Sequence, residues 1–453
     1  MGSFCEMHSN CEVEKLVSSD EVSIEKESIN RSSIEYAVKD LLLGLGEDVN
    51  REGIRKTPFR VAKAFFEGTR GYRQNVLNII EGALFPEEGL DNTNKIGHGG
   101  GVGGLVFVRD IDLYSYCESC LLPFQIKCHV GYIPSNQRVV GLSKLPRVAE
   151  AFAKRLQEPQ RLANEICFAL HEGIQPQGVA IILQCTHIPF PYKDFDSNHK
   201  GWVKILVSSG SGVFENKNDD IWSDLFSLVK FRGIDKDKIV IKESLEDQCS
   251  NWCPSFKIEE IKYNPIMVNA VSTIIKSLGE DSTRKELIET PNRFLKWLMN
   301  FQYASNIDLK MNDSIFNGGV KSTIWSEFNV PFWSQCEHHL LPFYGFVHIG
   351  YYNSKGCNQI GKSLLQSIVH FYGFKLQVQE RLTKQIAETI SSLVGGNVIV
   401  VVEASHTCMI SRGIEKFGSN TATIAVLGHF STDIAARTKF LEGIPSVTSF
   451  EGQ

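Results

Sequence analysis

The sequence has little that would place it outside the ordinary globular proteins. Its 12 cysteines are spread over 453 residues, which is too sparse for the disulfide framework of a small secreted domain. No apolar run is long enough to cross a bilayer, and the first thirty residues lack the apolar segment of a signal peptide. We therefore expect a cytoplasmic protein with no membrane partner.

Neither sign of charge is in large excess. The chain carries 47 basic and 52 acidic residues, which gives a net charge of -5. This balance offers no overall attraction for a polyanion, so we expect no nucleic-acid partner. The hydrophobic fraction of 42% is that of a folded protein, and the length allows two or three domains.

An internal repeat is the most informative feature that is present. Residues 117–124 read Cys-Glu-Ser-Cys-Leu-Leu-Pro-Phe, and residues 336–343 read Cys-Glu-His-His-Leu-Leu-Pro-Phe. Similarity continues on both sides, so two homologous modules follow each other. The sequence predicts five parts: a disordered acidic tail at 1–30, a first module at 31–212, a linker at 213–262, a second module at 263–440 and a C-terminal tail at 441–453.

Each module has the same predicted order of elements after its N-terminal helices. The first module is predicted to have a strand at 124–133, one long helix at 142–170, a β-branched strand at 179–183 and a last strand at 203–207. The second module is predicted to have the same elements at 343–352, 363–394, 398–402 and 423–427. This clustering of strands predicts an α+β fold with a mainly antiparallel sheet. The polar stretch at 208–220 is interpreted as the start of the linker, and Cys249 and Cys253 as surface thiols.

The second module contains candidate metal ligands. Cys336 and His339 are one turn apart, and Cys408 follows a later apolar strand. Two sulfurs and one nitrogen suit zinc, and three protein ligands leave the fourth position open, as a catalytic site requires. His338 and His406 stand beside them and can transfer protons. On these residues alone, Cys408 as a buried apolar thiol and His339 as a core histidine remain an alternative.

Three segments of the second module together resemble GTP cyclohydrolase I. They are the repeat motif at 336–343, Leu-Gln-Val-Gln-Glu-Arg-Leu-Thr at 376–383, and His-Thr-Cys-Met at 406–409 followed by Arg-Gly at 412–413. Their order and spacing match over nearly all of 263–440 and more weakly over 31–208, and the tandem arrangement resembles the plant form. The resemblance implies two tandem tunnelling-fold (T-fold) modules, each an antiparallel sheet with helices on one face plus N-terminal helices. It also implies self-association, as a homodimer or a larger ring.

The resemblance further implies a reaction and its residues. The enzyme would hydrolyse GTP at C8, release formate and form 7,8-dihydroneopterin triphosphate, the first step of pterin and folate biosynthesis. In the second module the zinc ligands would be Cys336, His339 and Cys408, and the proton-transfer groups would be His338 and His406. Glu380 and Gln379 would contact the guanine, and Arg412 would contact the triphosphate.

The family's Gly-Leu-Ser-Lys-Leu-x-Arg segment supplies a serine near the ribose and two cations for the triphosphate. The first module keeps it, with Ser143, Lys144 and Arg147. The second module reads Gly-Lys-Ser-Leu-Leu-Gln-Ser at 361–367, so it keeps Ser363 but loses both cations. Both modules keep the cations of a Thr-Pro-x-Arg-x-x-Lys stretch, as Arg60 with Lys63 and as Arg293 with Lys296. The sequence does not decide which of these two pairs contacts the triphosphate.

The first module lacks most of the residues that correspond to the metal, proton-transfer and guanine positions of the second. It has Ser119, Cys120, Gln160 and Pro189 at the places of His338, His339, Glu380 and Cys408, and of this set it keeps only His187. Because the losses divide by role, we predict composite active sites between a first and a second module. Cys117 and Cys120 could form a redox pair or a second metal site with Cys185. They are interpreted as inert thiols, because Pro189 breaks the family's ligand pattern and a metal site needs at least three protein ligands.

Two other classes of function are considered. Gly356-x-x-x-x-Gly361-Lys362-Ser363 matches the P-loop pattern, but this chain lacks the alternation of strands and helices in which a P-loop occurs. A non-catalytic, zinc-stabilised nucleotide scaffold is the second, although it would not need an open metal position. The cyclohydrolase would release formate from GTP, a P-loop NTPase would release phosphate, and a nucleotide scaffold would release neither.

Overall fold

Two five-stranded sheets form the framework of the protein, one in each module. A computed structural model describes residues 13–86, 104–135, 138–188, 203–216, 220–230, 252–254, 263–303, 315–316, 324–352, 359–414 and 419–445. The expectation of two tandem α+β modules built on mainly antiparallel sheets is confirmed. In the described part of the chain, no helix combines the length and apolarity that a bilayer crossing needs.

The first module begins with helices and ends with a helix. Its elements are α1 (Val13–Gly44), α2 (Thr57–Gly68), a 3-10 turn (Arg70–Arg73), α3 (Val76–Ile80), β1 (Leu84–Pro86), β2 (Val106–Cys117), β3 (Pro123–Ile133), β4 (Arg138–Val140), α4 (Lys144–Ala153), β5 (Leu156–Gln157), α5 (Pro159–Ile174), β6 (Gly178–His187), β7 (Val203–Gly212) and α6 (Asp220–Lys230). The sheet order is β5-β2-β3-β6-β7, and only β5 runs parallel to its neighbour.

The second module repeats this order. Its elements are α7 (Pro265–Leu278), α8 (Thr290–Tyr303), β8 (Ile315–Phe316), β9 (Ile324–Cys336), β10 (Pro342–Tyr352), β11 (Gln359–Ile360), α9 (Lys362–Gly373), β12 (Leu376–Gln377), α10 (Gln379–Val394), β13 (Val398–His406), α11 (Thr407–Ile410), β14 (Thr421–Leu427), α12 (His429–Thr432) and α13 (Ile434–Glu442). The sheet order β12-β9-β10-β13-β14 matches that of the first module.

The prediction of one long helix at 142–170 and at 363–394 is wrong. In the first module α4 ends at Ala153 and α5 begins at Pro159, with β5 between them. Proline has no N–H to continue a helix, and the Glu158 side chain accepts a hydrogen bond from the Arg161 N–H at 2.9 Å, which begins a new one. In the second module the break follows Gly373.

Two segments predicted as irregular contain helix. α1 begins at Val13, so the predicted tail is helical from that residue, and residues 1–12 lie outside the described part. In the segment predicted as linker, β7 continues to Gly212 and α6 follows. Trp222 and Leu225 of α6 pack with Ile182 of β6 on the face opposite α5. This amphipathic helix therefore covers a second face of the first sheet.

The two modules share one buried core. Helix α1 packs against α7, and a side chain at Gly44 would meet the Met267 Sδ at 2.4 Å, so glycine allows the close approach. The threonine that begins each Thr-Pro stretch forms a hydrogen bond with the other module. Thr57 donates to the Glu337 carbonyl at 2.7 Å, and Thr290 donates to the Glu118 carbonyl at 2.6 Å. The modules are thus joined reciprocally at the turn that contains each repeat motif.

Candidate functional site

Strand pairing brings the ligand-type side chains of the second module together. Cys336 ends β9, and the turn that follows leads into β10, with Leu340 in the left-handed region at φ 53°. β10 pairs with β13 so that Phe343 lies opposite His406, and Cys408 comes two residues later in α11. Residues that are about seventy positions apart in sequence therefore meet at one end of the sheet.

Cys336, His339 and Cys408 form a compact group. Their ligand atoms lie within 4.8 Å of one another, and Cys336 Sγ is 3.8 Å from His339 Nδ1. The Cys408 thiol donates a hydrogen bond to the Cys336 sulfur, and this, with further contributions from His338 and His339, holds the pKa of Cys336 well below its ordinary value. A thiolate, a second thiol and an imidazole form a donor set that fits zinc.

His406 is held by the predicted guanine residue Gln379. The buried Gln379 amide donates to the carbonyls of Val402 at 2.9 Å and Thr421 at 2.8 Å. Its oxygen must then face His406 Nε2, which lies 2.8 Å away and donates to it. Burial lowers the pKa of His406, and Phe343 stacks on its ring at 4.7 Å. Gln379 thereby sets the orientation and the tautomer of the imidazole.

The other predicted groups of the second module lie around this cluster. His338 is 36% exposed, and its ring centroid is 6.4 Å from that of His339. Glu380 is exposed in the first turn of α10, next to Gln379. Arg412 is half-buried, and its Nε donates to the Cys408 carbonyl at 2.7 Å. His338 and Arg412 thus lie next to the ligand-type residues His339 and Cys408, and the Glu380 carboxylate acts electrostatically on His406.

The first module reaches this cluster with a lysine that the sequence did not indicate. Lys154, buried just after α4, donates to the Ser411 carbonyl at 3.1 Å. Burial and the nearby Arg70 lower its pKa to about 8. The Tyr116 hydroxyl faces the same stretch: burial raises its pKa to about 12, and Cys408 and Arg412 contribute to its electrostatic surroundings. The repeat-related position in the second module is Phe374. This difference between the modules is the signal in the sequence that could have pointed to Lys154.

The predicted phosphate and ribose residues of the first module lie at the other end of α4. Ser143 and Arg147 are exposed, and Lys144 donates to the Ile79 carbonyl at 2.8 Å. Of the two Thr-Pro-x-Arg-x-x-Lys pairs, Lys63 is exposed and lies 3.7 Å from Glu67, and Arg60 is half-buried. Arg293 and Lys296 are half-buried in α8.

The P-loop pattern lacks the structure that would make it a phosphate loop. Lys362 forms an ion pair with Glu327 at 2.8 Å. The strand before it, β11, pairs antiparallel with β8 and does not belong to a parallel sheet. Exposed Ser363 follows in the first turn of α9, and Gly356 lies outside the described residues.

The first module contains a second group of metal-ligating side chains. Cys117, Cys120, His187 and Cys253 are all buried, with ligand atoms within 4.8 Å of one another. The interpretation of Cys253 as a surface thiol is therefore wrong, since it is 1% exposed. Cys249 and Pro189, and most of the glycine-rich stretch at 97–104, lie outside the described residues.

The comparisons with known proteins agree with the repeat. The family profile of GTP cyclohydrolase I matches residues 34–228 and again 267–445. GTP cyclohydrolase 1 of Solanum lycopersicum is 59% identical over 458 residues, which cover 98% of each chain. GTP cyclohydrolase 1 of Arabidopsis thaliana is 59% identical and covers 92% of this chain and 91% of that one. The protein of the same name from Campylobacter jejuni is 41% identical and covers 44% of this chain but 95% of its own length. The chain belongs to the GTP cyclohydrolase I family, and it carries the family's sequence twice.

Proposed function

We propose that this enzyme hydrolyses GTP at C8, with release of formate and formation of 7,8-dihydroneopterin triphosphate. One observation carries the proposal: Cys336, His339 and Cys408 converge beside an imidazole whose tautomer is set by Gln379. The family match over both modules and the high identity to two plant proteins named GTP cyclohydrolase 1 support it. This reaction leads toward pterins and folates.

The three ligands of the second module fit a zinc ion with one free position. Two sulfurs and one nitrogen lie within 4.8 Å of one another, and His339 is half-buried, so the group is accessible on one side. Zinc supplies Lewis acidity at such a place and makes water a stronger acid near neutral pH.

The protein's own groups divide the remaining work. Glu380 would accept hydrogen bonds from the N–H groups of guanine, because a carboxylate is a strong acceptor for paired donors. His406 is half-buried and neutral, with its Nε2 proton directed to Gln379, so its Nδ1 lone pair is free to take a proton. His338 is more exposed and would exchange protons with solvent. Ser143 or Ser363 would serve the later rearrangement of the ribose.

Formate release from GTP by the full chain is the primary test. We expect Cys408→Ser to abolish it, because one metal ligand is lost, and Cys167→Ser to leave it intact, because that buried thiol contacts Val179 and Ser211 instead. Phosphate release without formate would favour the P-loop alternative. Binding of GTP with neither product would favour the nucleotide scaffold.

The triphosphate site is proposed to be composite. Lys154, just after α4, contacts the Ser411 carbonyl three residues after Cys408, so the first module contacts the second close to this cluster. Lys144 and Arg147 lie in the first turn of the same helix, at its other end. The corresponding positions of the second module, Leu364 and Ser367, carry no charge. Two charge-assisted contacts are worth about 1.5–3 kcal/mol each, so removing both would weaken triphosphate binding by roughly 10²–10⁴-fold.

The composite site is tested by Lys144→Ala with Arg147→Ala in one chain. We expect the KM for GTP to rise by roughly 10²–10⁴-fold while the zinc content stays unchanged. Ser367→Ala, the matched change in the second module, should leave KM as it is. An unchanged KM in the double variant would rule the composite site out.

Self-association of chains is proposed as well, and complementation can detect it. Neither Cys408→Ser nor the Lys144→Ala, Arg147→Ala double variant should be active alone at low GTP. If the modules of different chains share a site, refolding the two together restores part of the activity. If both halves of each site come from one chain, the mixture stays inactive.

A further inference from the structure

The second group of metal-ligating side chains, in the first module, is not explained by the proposed reaction. Cys117 ends β2, Cys120 lies in the following turn and His187 ends β6. Cys253 comes from the short described segment 252–254, far along the chain from the other three. Four ligand-type side chains from distant parts of the sequence converge with their ligand atoms within 4.8 Å.

His187 is oriented as a metal-bound histidine is. Its Nδ1 lies 2.6 Å from the carbonyl oxygen of Ile188, which can only accept, so Nδ1 carries the proton and donates it. Nε2 is therefore left with its lone pair, and it lies 3.3 Å from Cys120 Sγ. Histidines that bind metals usually donate their other ring N–H to a carbonyl or a carboxylate in this way.

The donor set selects the metal. Three sulfurs and one imidazole nitrogen form a Cys3His set, which is typical of tetrahedral structural zinc. Zinc–sulfur distances of about 2.3 Å and zinc–nitrogen distances of about 2.0 Å place a sulfur and a nitrogen ligand roughly 3.5 Å apart, and two sulfurs roughly 3.8 Å apart. The observed sulfur–nitrogen distance of 3.3 Å is close to the first of these values.

The group is closed, whereas the second-module cluster is open. Cys117, Cys120 and His187 are 0% exposed, while His339 of the second module is half-buried. Trp252 covers the group, with its ring 4.9 Å from His187 and 4.8 Å from Phe124. Four protein ligands under an indole ring leave no position for water or substrate, so this site would be structural.

We propose that Cys117, Cys120, His187 and Cys253 bind a structural zinc ion in the first module. Cys253 supplies the fourth ligand, and the metal fastens the segment between the modules to the end of the first sheet. Cys117 and Cys120 stand at the repeat-related positions of Cys336 and His339, His187 stands at that of His406, and Cys253 comes from outside the repeat.

Metal analysis of the full chain, purified under reducing conditions, tests the proposal. We expect one zinc ion for each of the two clusters. Cys253→Ser should lose the first-module zinc and Cys408→Ser the second-module zinc, and the matched buried change Cys167→Ser should lose neither. A wild-type content of one zinc per chain that Cys253→Ser leaves unchanged would overturn the proposal.

Cobalt substitution in Cys408→Ser gives a readout that does not depend on activity. This variant should retain the closed site, and its cobalt spectrum should show tetrahedral geometry with thiolate-to-metal charge transfer. Adding GTP or azide should not alter the spectrum, because no ligand position is open. A spectral response to azide would contradict a closed site. A disulfide between any two of Cys117, Cys120 and Cys253 in the reduced protein, found by mass spectrometry, would contradict a metal site altogether.

Discussion

A buried polar side chain can hold a neighbouring group in place through a complete set of hydrogen bonds. Gln379 illustrates this at the scale of one residue, because its two amide hydrogens and its oxygen all have partners. A buried amide with fixed partners cannot rotate without leaving carbonyls unpaired, at a cost of about 1–3 kcal/mol each. Its predicted contact with guanine remains a prediction, and the contact with His406 is the one that the structure adds.

Gln379→Glu tests whether this residue positions His406. The carboxylate would raise the imidazole pKa and would remove the amide donors to the Val402 and Thr421 carbonyls. We expect kcat to fall and the acid limb of the kcat/KM profile to move to higher pH. Gln160→Glu, an amide-to-acid change in the first module at the place of Glu380, should leave the pH profile unchanged. A loss of stability without a shift of the profile would limit Gln379 to a structural role.

Lys154 predicts a dependence of stability on pH. Its folded-state pKa of about 8 lies below the ordinary 10.5, chiefly through burial. Between these values the unfolded chain binds more protons than the folded one, so the free energy of unfolding rises with pH in this window, by about 3 kcal/mol in total. Lys154→Met should remove that rise, as measured by denaturant unfolding at several pH values. Lys384→Met, at a 72% exposed lysine, should retain it.

At the scale of the elements, the repeat is visible in irregular features as well as in regular ones. β2 and β9 each carry a bulge, and Asp110 and Asn329 adopt φ near 58° and 57° there. Their backbone N–H groups each donate to the Nδ1 of a buried histidine, His129 or His348, at 3.3 Å. Bulges of this kind bend a strand and strengthen its twist, so both sheets are shaped alike.

Gly345 holds the pairing of β10 with β13, on which the second-module cluster depends. A Cβ at this position would lie 1.8 Å from the Glu403 carbonyl oxygen, so the strands would have to separate. We expect Gly345→Ala to cost about 3 kcal/mol of unfolding free energy and to reduce zinc content, because Cys408 moves with β13. In Gly141→Ala the nearest atom is 3.4 Å away, so calorimetry should find little change. An equal effect of both substitutions would contradict this reasoning.

At the scale of the whole molecule, the modules are joined through the turns that contain the repeat motifs. Arg51 pairs with Glu337 at 3.0 Å, and Arg284 pairs with Glu118 at 2.8 Å. Each buried carboxylate thus receives an arginine from the other module. A cut between the modules would expose both, and the shared core of α1 and α7 as well.

Thr57→Val and Thr290→Val test this coupling. Each substitution leaves a carbonyl of the other module's turn without its hydroxyl donor, and we expect a loss of about 1–3 kcal/mol from each. Both modules should still melt in one transition, because their core is continuous. Thr69→Val is the control within one module, and its effect should be smaller, since the Phe65 carbonyl keeps the Thr69 N–H. Two separate thermal transitions in wild type would refute the coupling.

The sequence by itself determined the duplicated architecture, the family and the grouping of Cys336, His339 and Cys408 with two histidines. The duplication followed from the internal repeat, and the family from the order and spacing of three motifs. The grouping of the ligands followed from the resemblance to that family, since the residues alone left an alternative open. The sequence did not determine the breaks in the long helices, the helix in the predicted linker, Lys154 at the second-module cluster or Cys253 in the first-module group. These depend on contacts between segments far apart in the chain, and such contacts are set by strand pairing and packing, which leave no local spacing in the sequence.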